Sequence, residues 1–164
     1  MKLTSHTDFA LRLLMSLAVV EERLVTIEEL AKRHGLSRNH LMKVAQTLVG
    51  LGYVTGVRGR SGGLRLARPA SSIRMGAVVR NLEEDIALVE CLGDGPTTCI
   101  LSGACLLTRT MGRAREAFFA SLDEVTLADL VAPRILLRQR LGVGNGNNSA
   151  LPPLPEINIP NRRI

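Results

Sequence analysis

Apolar residues recur every three or four positions through the first fifty residues of the chain, which is the spacing of helices packed on a core. The first helix is predicted over residues 3–20, with apolar positions at Leu3, Phe9, Ala10, Leu13, Leu14, Leu17 and Val20. Thr26 and Glu29 form a possible capping box for a second helix, which Gly35 ends. Ser37 can cap a third helix. Two helices joined by a short glycine-containing turn predict a helix-turn-helix.

The apolar period changes to two after Tyr53, in the segment YVTGVRGRSGGLRLARP. Alternation of this kind is typical of a β-hairpin, and the glycines of GRSGG supply the positive φ angles that a tight turn needs. Pro69 closes the segment. A hairpin directly after a helix-turn-helix is the wing of a winged helix.

A long helix is predicted in the second half of the chain. Its apolar positions, spaced by four and three over about four turns, are Leu107, Met111, Ala114, Phe118 and Leu122. A stripe of this length on a small protein predicts packing against a partner helix. Thr126 and Asp129 form a second possible capping box, for a short helix that Pro133 ends. From Gly142 onward the sequence is rich in Gly, Asn and Pro without periodicity, which predicts a flexible tail.

Charge is distributed unevenly along the chain. Residues 1–80 carry thirteen Lys or Arg against five Asp or Glu, whereas residues 81–140 carry six against nine. The basic half is therefore where a polyanion would bind. The chain has three Phe, one Tyr and no Trp, so aromatic platforms for stacking single-stranded bases are not expected.

The start of the third helix and the wing hold the candidate DNA-binding residues, because a recognition helix places its first-turn side chains in the major groove. On the helix they are Ser37, Arg38, Asn39, His40 and Lys43. On the wing they are Arg58, Arg60, Ser61 and Gly62, with Arg65 nearby. Arg suits guanine, Asn suits adenine, and Ser at a helix N-terminus suits phosphate. The alternative is a helix-turn-helix that binds another protein, with these charges as a solvated face.

All three cysteines of the chain lie in the segment ECLGDGPTTCILSGAC, at Cys91, Cys99 and Cys105. Their spacing differs from zinc sites, which pair ligands two to four residues apart and need four of them. Three thiolates can hold an iron–sulfur cluster, which leaves one iron for a different ligand. Zinc binding, redox-active thiols and inert cysteines remain alternatives. A thiol oxidoreductase is disfavoured because the chain has no C-x-x-C motif, no candidate catalytic His and no βαβ pattern.

The chain resembles the Rrf2 family of bacterial winged-helix regulators. The resemblance extends over residues 1–140 and is carried by MKLTSHTDFALRLLMSLA, by SRNHLMKVAQTLVGLGYVTGVRGRSGGLRLARPASSI and by the three-cysteine loop. It implies a homodimer, a palindromic operator in double-stranded DNA, and an iron–sulfur cluster on the three cysteines, 4Fe–4S or 2Fe–2S. It also implies a transcription factor rather than an enzyme.

Within this family the chain is most similar to the nitric-oxide-sensing repressors. In that subgroup an aspartate in the segment matching TDFALR reaches the cluster of the other subunit, which implies that Asp8 is the fourth ligand. Pairing of Asp8 with Arg12, one helical turn later, is the alternative. Regulators of iron–sulfur assembly carry a histidine three residues after the last cysteine, where this chain has Thr108. Regulators that respond to iron or to cluster supply are similar across the wing and loop, and they are the alternative function.

The predicted fold is mainly α-helical with a small β wing. A winged helix-turn-helix DNA-binding domain is predicted over residues 1–83 and a cluster-binding loop over 84–106. A dimerisation helix and a short C-terminal helix follow over 107–141, and a flexible tail over 142–164. No apolar run approaches the roughly 20 residues that span a bilayer, and no export signal is evident, so the expected location is the cytoplasm.

Overall fold

The computed structural model describes residues 2–83 and 86–143. The helices in that range are α1 (Ser5–Val19), α2 (Ile27–His34), α3 (Arg38–Gly50), α4 (Met75–Leu82), α5 (Leu106–Asp123), α6 (Leu127–Leu130) and α7 (Arg134–Arg140). The strands are β1 (Val54–Val57) and β2 (Gly63–Leu66), and two short 3-10 turns cover Ala70–Ser72 and Glu90–Leu92. The prediction of a mainly α-helical fold with a small β wing is confirmed.

The helix-turn-helix is formed by α2 and α3, and local signals set its limits. The Thr26 hydroxyl accepts a hydrogen bond from the backbone N–H of Glu29 at 3.1 Å. The Glu29 carboxylate does not close the capping box, because it pairs with Arg23 and Arg33 instead. Gly35 ends α2 with a φ of 62°, a left-handed conformation that glycine adopts without strain. The turn that separates α2 from the recognition helix α3 is therefore encoded locally.

The core beneath the helix-turn-helix is built from aliphatic side chains. Its largest fully buried members include Leu13, Leu14, Leu30, Leu41, Leu48 and Ile73. Burial of this kind supplies the main stabilising free energy of a domain with few aromatic residues. Because α1 and α3 both contribute to this core, the orientation of α3 depends on α1.

The wing is an antiparallel hairpin attached to the core through its second strand. Val54 pairs with Leu66, and Val57 pairs with Gly63 across the turn. Leu64 also exchanges backbone hydrogen bonds with Val25, at 2.8 and 3.0 Å. These bonds fix the base of the wing beside the start of α2, while the tip between the strands remains exposed.

The C-terminal helices pack on α1, the first helix of the chain. At the start of α6, Thr126 and Asp129 form the complete capping box that the sequence predicts. The sequence interpretation did not include α7, which begins directly after Pro133. Arg134 pairs with Glu21 at 3.2 Å, and Arg138 pairs with Glu22 at 2.8 Å.

The side chains of Leu127 and Val131 lie in the same hydrophobic core as α1. The segments on either side of the predicted boundaries at residues 83 and 107 therefore share one hydrophobic core, and the boundaries separate only their proposed roles. Of the predicted tail over 142–164, only Gly142 and Val143 belong to the described residues, and the rest lies outside them. Over the described ranges, no helix combines the length and the apolar character needed to cross a membrane. The cytoplasmic location stays a prediction.

Candidate functional site

Two of the three cysteines contact the same residue, Thr108, at the start of α5. Cys91 lies in the 3-10 turn Glu90–Leu92, and its Sγ is 3.0 Å from the Thr108 hydroxyl oxygen. Cys105 is the N-cap residue of α5. The backbone N–H of Thr108, the backbone N–H of Leu107 and the Thr108 hydroxyl together lower the pKa of the Cys105 thiol. A helix N-terminus thus favours the thiolate, the form that binds metals.

A hydrogen bond across the loop ties the neighbour of Cys91 to the neighbour of Cys99. The Glu90 carboxylate accepts from the backbone N–H of Thr98 at 2.8 Å and from the Thr98 hydroxyl at 3.1 Å. Glu90 directly precedes Cys91, and Thr98 directly precedes Cys99. Sequence reasoning did not identify Glu90 or Thr98, because their contact depends on how the loop folds back between them.

The three thiols fit an iron–sulfur cluster better than a single metal ion. All three are free of disulfides; Cys99 is exposed, and Cys91 and Cys105 are partly buried. Over residues 2–83 and 86–143, no three His, Cys, Asp or Glu side chains stand close enough to hold one metal ion. A cluster accepts ligands that are farther apart, because its irons are separate centres joined by sulfide. Soft thiolates on one loop, one of them with a lowered pKa, are the donor set that such a cluster requires.

Asp8 lies in the first turn of α1 and is paired within its own chain. Arg12 donates to Asp8 from Nε at 3.1 Å and from a terminal nitrogen at 2.7 Å. The carboxylate remains about half exposed, with 45% of its side-chain surface accessible. The pairing proposed as an alternative for Asp8 is thus present, and its role as a cluster ligand stays a prediction.

The candidate DNA-binding residues of α3 face away from the core. Arg38, Asn39, His40 and Lys43 are exposed, whereas the opposite face of α3 is buried. Ser37 is the N-cap residue, but its side chain makes no capping hydrogen bond. Its hydroxyl is therefore available to an anion at the helix N-terminus.

The tip of the wing carries arginine side chains on a glycine-rich segment. Arg58, Arg60 and Ser61 are exposed, as is Arg65 on β2. In the part of the chain that the structure describes, none of these arginines, nor Arg38, has a salt-bridge partner. Exposed arginines without salt-bridge partners, on neighbouring elements, are suited to bind the negatively charged phosphates of DNA.

The helix that carries Asp8 also contacts the recognition helix. The ring of Phe9 lies 6.4 Å from the ring of His40, centroid to centroid. His6 and Phe9 of α1, together with His40 and Lys43 of α3, border a cavity of about 300 Å³. Displacement of the first turn of α1 would therefore directly affect His40 and Lys43, two candidate DNA-binding residues of α3.

Known proteins that resemble this chain are transcriptional regulators. The HTH-type transcriptional regulator NsrR of Geobacillus kaustophilus is 43% identical over 142 residues, which cover 86% of this chain and 97% of that protein. The regulator of the same name from Bacillus licheniformis is 42% identical over 142 residues, covering 86% and 99%.

Solved structures of such regulators share the fold. IscR of T. potens superposes with a TM-score of 0.64 at 25% identity, covering 81% of this chain and 88% of that one. CymR of B. subtilis, described as a global cysteine regulator, superposes with a TM-score of 0.65 at 28% identity, covering 81% and 98%.

Residues 3–133 match the Rrf2 family, which is described as an iron-dependent transcriptional regulator. The match includes the winged helix, the cysteine loop and α5. Regulators of this kind are not enzymes, which agrees with the prediction from sequence. The chain belongs to the Rrf2 family of winged-helix transcriptional regulators.

Proposed function

We propose that the protein is a homodimeric DNA-binding repressor that senses nitric oxide through an iron–sulfur cluster on its cysteine loop. The observation that carries the proposal is the arrangement of that loop. Cys91 and Cys105 both interact with Thr108, and the Glu90–Thr98 hydrogen bond ties Cys99 to the same region. The identity of 42–43% to regulators named NsrR supports it, since the family resemblance implies nitric oxide sensing in that subgroup.

Cys91, Cys99 and Cys105 would hold the cluster, with Asp8 of the partner subunit as the fourth ligand. Three thiolates and one weaker donor suit a 4Fe–4S cluster, and 2Fe–2S is the alternative. When bound, the cluster supplies iron to which a small diatomic molecule binds. A carboxylate is a harder and weaker donor to such iron than a thiolate, so Asp8 is the protein ligand most easily lost. Once released, Asp8 can pair with Arg12 on its own helix, as it does here.

Dimerisation through α5 is supported by how little of that helix is buried within one chain. Of its eighteen residues only Phe119 is buried, beneath the guanidinium of Arg80 at 4.4 Å from the ring centroid. Leu107 on the predicted stripe is 53% exposed, and Ala114 is exposed as well. An apolar stripe that is exposed or only partly buried over several turns needs a second surface to cover it. A second copy of α5 supplies that surface.

The contact between α1 and α3 gives the dimer a means of coupling its cluster to DNA. Asp8 is adjacent to Phe9, and Phe9 packs beside His40 of the recognition helix. If Asp8 no longer held the partner's cluster, the first turn of α1 would lose its attachment to the other subunit. The two recognition helices would then lose their fixed separation, and the protein would no longer match two successive major grooves of a palindromic operator.

Replacing Arg38 with alanine should weaken operator binding by roughly 5- to 150-fold, the range for loss of a bidentate contact to a base. Arg140→Ala is the matched control, because it removes one exposed positive charge from α7. Binding of both variants would be measured by fluorescence anisotropy at several salt concentrations. Equal losses of DNA affinity for the two variants would mean that only net charge matters. That result would refute the role of Arg38 as a base-contacting residue.

Gly62→Ala should distort the tip of the wing and weaken operator binding by about tenfold, the effect of a lost base contact. A Cβ atom at Gly62 would lie 2.3 Å from the carbonyl oxygen of Val57, so the backbone of the turn must move. Gly50→Ala is the control, since a Cβ atom there meets nothing within 4 Å. A Gly62→Ala variant that binds DNA like the wild type would show that the shape of the wing tip is not required.

Titration of anaerobically isolated protein tests the proposed function. Iron and sulfide should be present, and nitric oxide should abolish operator binding as the visible absorption of the cluster changes. Absence of iron and sulfide, or operator binding that is indifferent to nitric oxide, would contradict the proposal.

A regulator of the RirA kind, which responds to iron or to cluster supply, is the alternative function. The similarity of wing and loop to iron-responsive members of the family favours it, as does the family's description as iron-dependent. Parallel titrations with nitric oxide and with an iron chelator separate the two. The stimulus that abolishes DNA binding at the lower dose identifies the signal.

A further inference from the structure

The first turn of α1 is held by a glutamate that lies almost eighty residues later in the chain. The Glu83 carboxylate accepts a hydrogen bond from the backbone N–H of Thr4 at 2.8 Å and from the Thr4 hydroxyl at 3.0 Å. The Thr4 hydroxyl in turn accepts from the backbone N–H of Thr7 at 3.2 Å. The backbone N–H of Asp8 donates to the carbonyl of Thr4 at 3.0 Å. Glu83 therefore fixes the N-cap from which the Asp8 turn begins.

Glu83 is itself attached to a rigid part of the fold. Its backbone N–H donates to the carbonyl of Val79 at 3.0 Å, which makes it the C-cap residue of α4. The inner face of α4 is buried in the core through Val78, Val79 and Leu82. Partial burial raises the pKa of Glu83, but hydrogen bonds from the Thr7 hydroxyl and from Thr4 outweigh it and leave the pKa lowered. The side chain is thus a charged acceptor, the stronger kind of hydrogen-bond partner.

Glu83 also lies beside the described start of the cysteine loop. Ile86 and Leu88, at the described start of that loop, line a cavity of about 250 Å³ together with Leu3, Glu83 and Phe118. The segment before α1, the end of α4, the loop and α5 all meet at this cavity. The described start of the loop therefore lies beside the residue that holds the first turn of α1.

We propose that Glu83 is a positioning residue for Asp8. It orients Asp8 toward the partner subunit by holding the N-cap of α1 against the start of the chain's own cysteine loop. The inference rests on the proposed function, in which Asp8 is the fourth ligand.

The cluster-free protein provides the first test, because the Glu83 contacts lie within one chain. Glu83→Ala should speed hydrogen exchange at the amides of Thr7 and Asp8 by roughly 3- to 10-fold, the effect of weakening a helix cap. Glu83→Gln keeps the shape of the side chain and should give a smaller increase. Glu116→Ala is the control, since Glu116 is 72% exposed on α5. Unchanged exchange in Glu83→Ala would show that Glu83 does not hold α1.

A double-mutant cycle on the cluster-loaded protein tests the link to Asp8. The rate of cluster loss to a chelator, followed by visible absorption, would be compared for the wild type, Glu83→Ala, Asp8→Ala and the double variant. Glu83→Ala should raise the rate by roughly 3- to 10-fold in the wild-type background and have no further effect beside Asp8→Ala.

The outcomes of the double-mutant cycle distinguish the positioning role of Glu83 from the proposed function on which it rests. Equal effects of Glu83→Ala in both backgrounds, or no effect in either, would overturn the positioning role while leaving the sensor intact. A wild-type protein that takes up no iron and sulfide would overturn the proposed function instead. Rescue of the rate by Glu83→Gln would support orientation by hydrogen bonding, because the amide oxygen still accepts from Thr4.

Discussion

An Ala114→Glu variant should be monomeric at concentrations where the wild-type protein is a dimer. Ala114 is exposed at the middle of the apolar stripe on α5, so the substitution leaves the core of each chain unchanged. In a dimer it would place two unpaired carboxylates between the facing helices. An uncompensated charge in an interface costs about 2–5 kcal/mol, which raises the dissociation constant of the dimer by roughly 30- to 5,000-fold. Sedimentation equilibrium measures that constant directly.

Ala120→Glu is the matched control for this experiment. Ala120 is also exposed on α5, but it lies six residues along the helix, on the side away from the stripe. The control should remain a dimer and bind operator normally, whereas Ala114→Glu should lose operator binding because one subunit contacts one half-site only. If both variants remain dimers, the chains associate through a different surface.

A Cys99→Ala variant should be purified without iron or sulfide, even under anaerobic conditions. Two thiolates and one carboxylate are too few strong ligands to retain a cluster whose irons prefer sulfur. Cys99 is exposed, so its replacement should change the free energy of unfolding by no more than about 0.5 kcal/mol. The fold and the dimer should therefore persist while the cluster is lost. Iron and sulfide analysis with visible spectroscopy gives the answer.

Ser102→Ala serves as the control for Cys99→Ala, since it alters an exposed side chain of the same loop. It should retain wild-type iron and sulfide content. A Cys99→Ala protein with a full complement of iron and sulfide would mean that the ligand set has been misassigned. In that case the partly buried pair, Cys91 and Cys105, would need other partners.

Local signals explain why much of the fold is evident in the sequence. The cap at Thr26, the stop at Gly35 and the glycine-rich turn of the wing each act within a few residues. Their effects therefore do not depend on the rest of the molecule. The first helix was predicted over 3–20 and is found at Ser5–Val19, because the Thr4 hydroxyl caps it.

Contacts between residues far apart in the sequence explain the features that the sequence does not reveal. Helix α7 is only seven residues long, which is too short to be stable in isolation. It is held by Arg134 and Arg138, whose partners lie more than 110 positions earlier. Likewise, the cysteines are evident from composition, but the Glu90–Thr98 hydrogen bond, which joins the residues before Cys91 and Cys99, depends on the path of the loop. The contact of Glu83 with Thr4 is hidden for the same reason.

The pairing of α7 with the end of α1 has a consequence for how the protein is made. Arg138 donates to the carbonyl of Val19 at 3.3 Å, and Leu127 and Val131 complete the core that holds the helix-turn-helix. During synthesis that core is not complete until residues near 140 have left the ribosome. At about 5–20 residues per second, the cysteine loop emerges seconds before the DNA-binding half can finish folding. Each newly made chain therefore exposes Cys91, Cys99 and Cys105 before its DNA-binding half is complete.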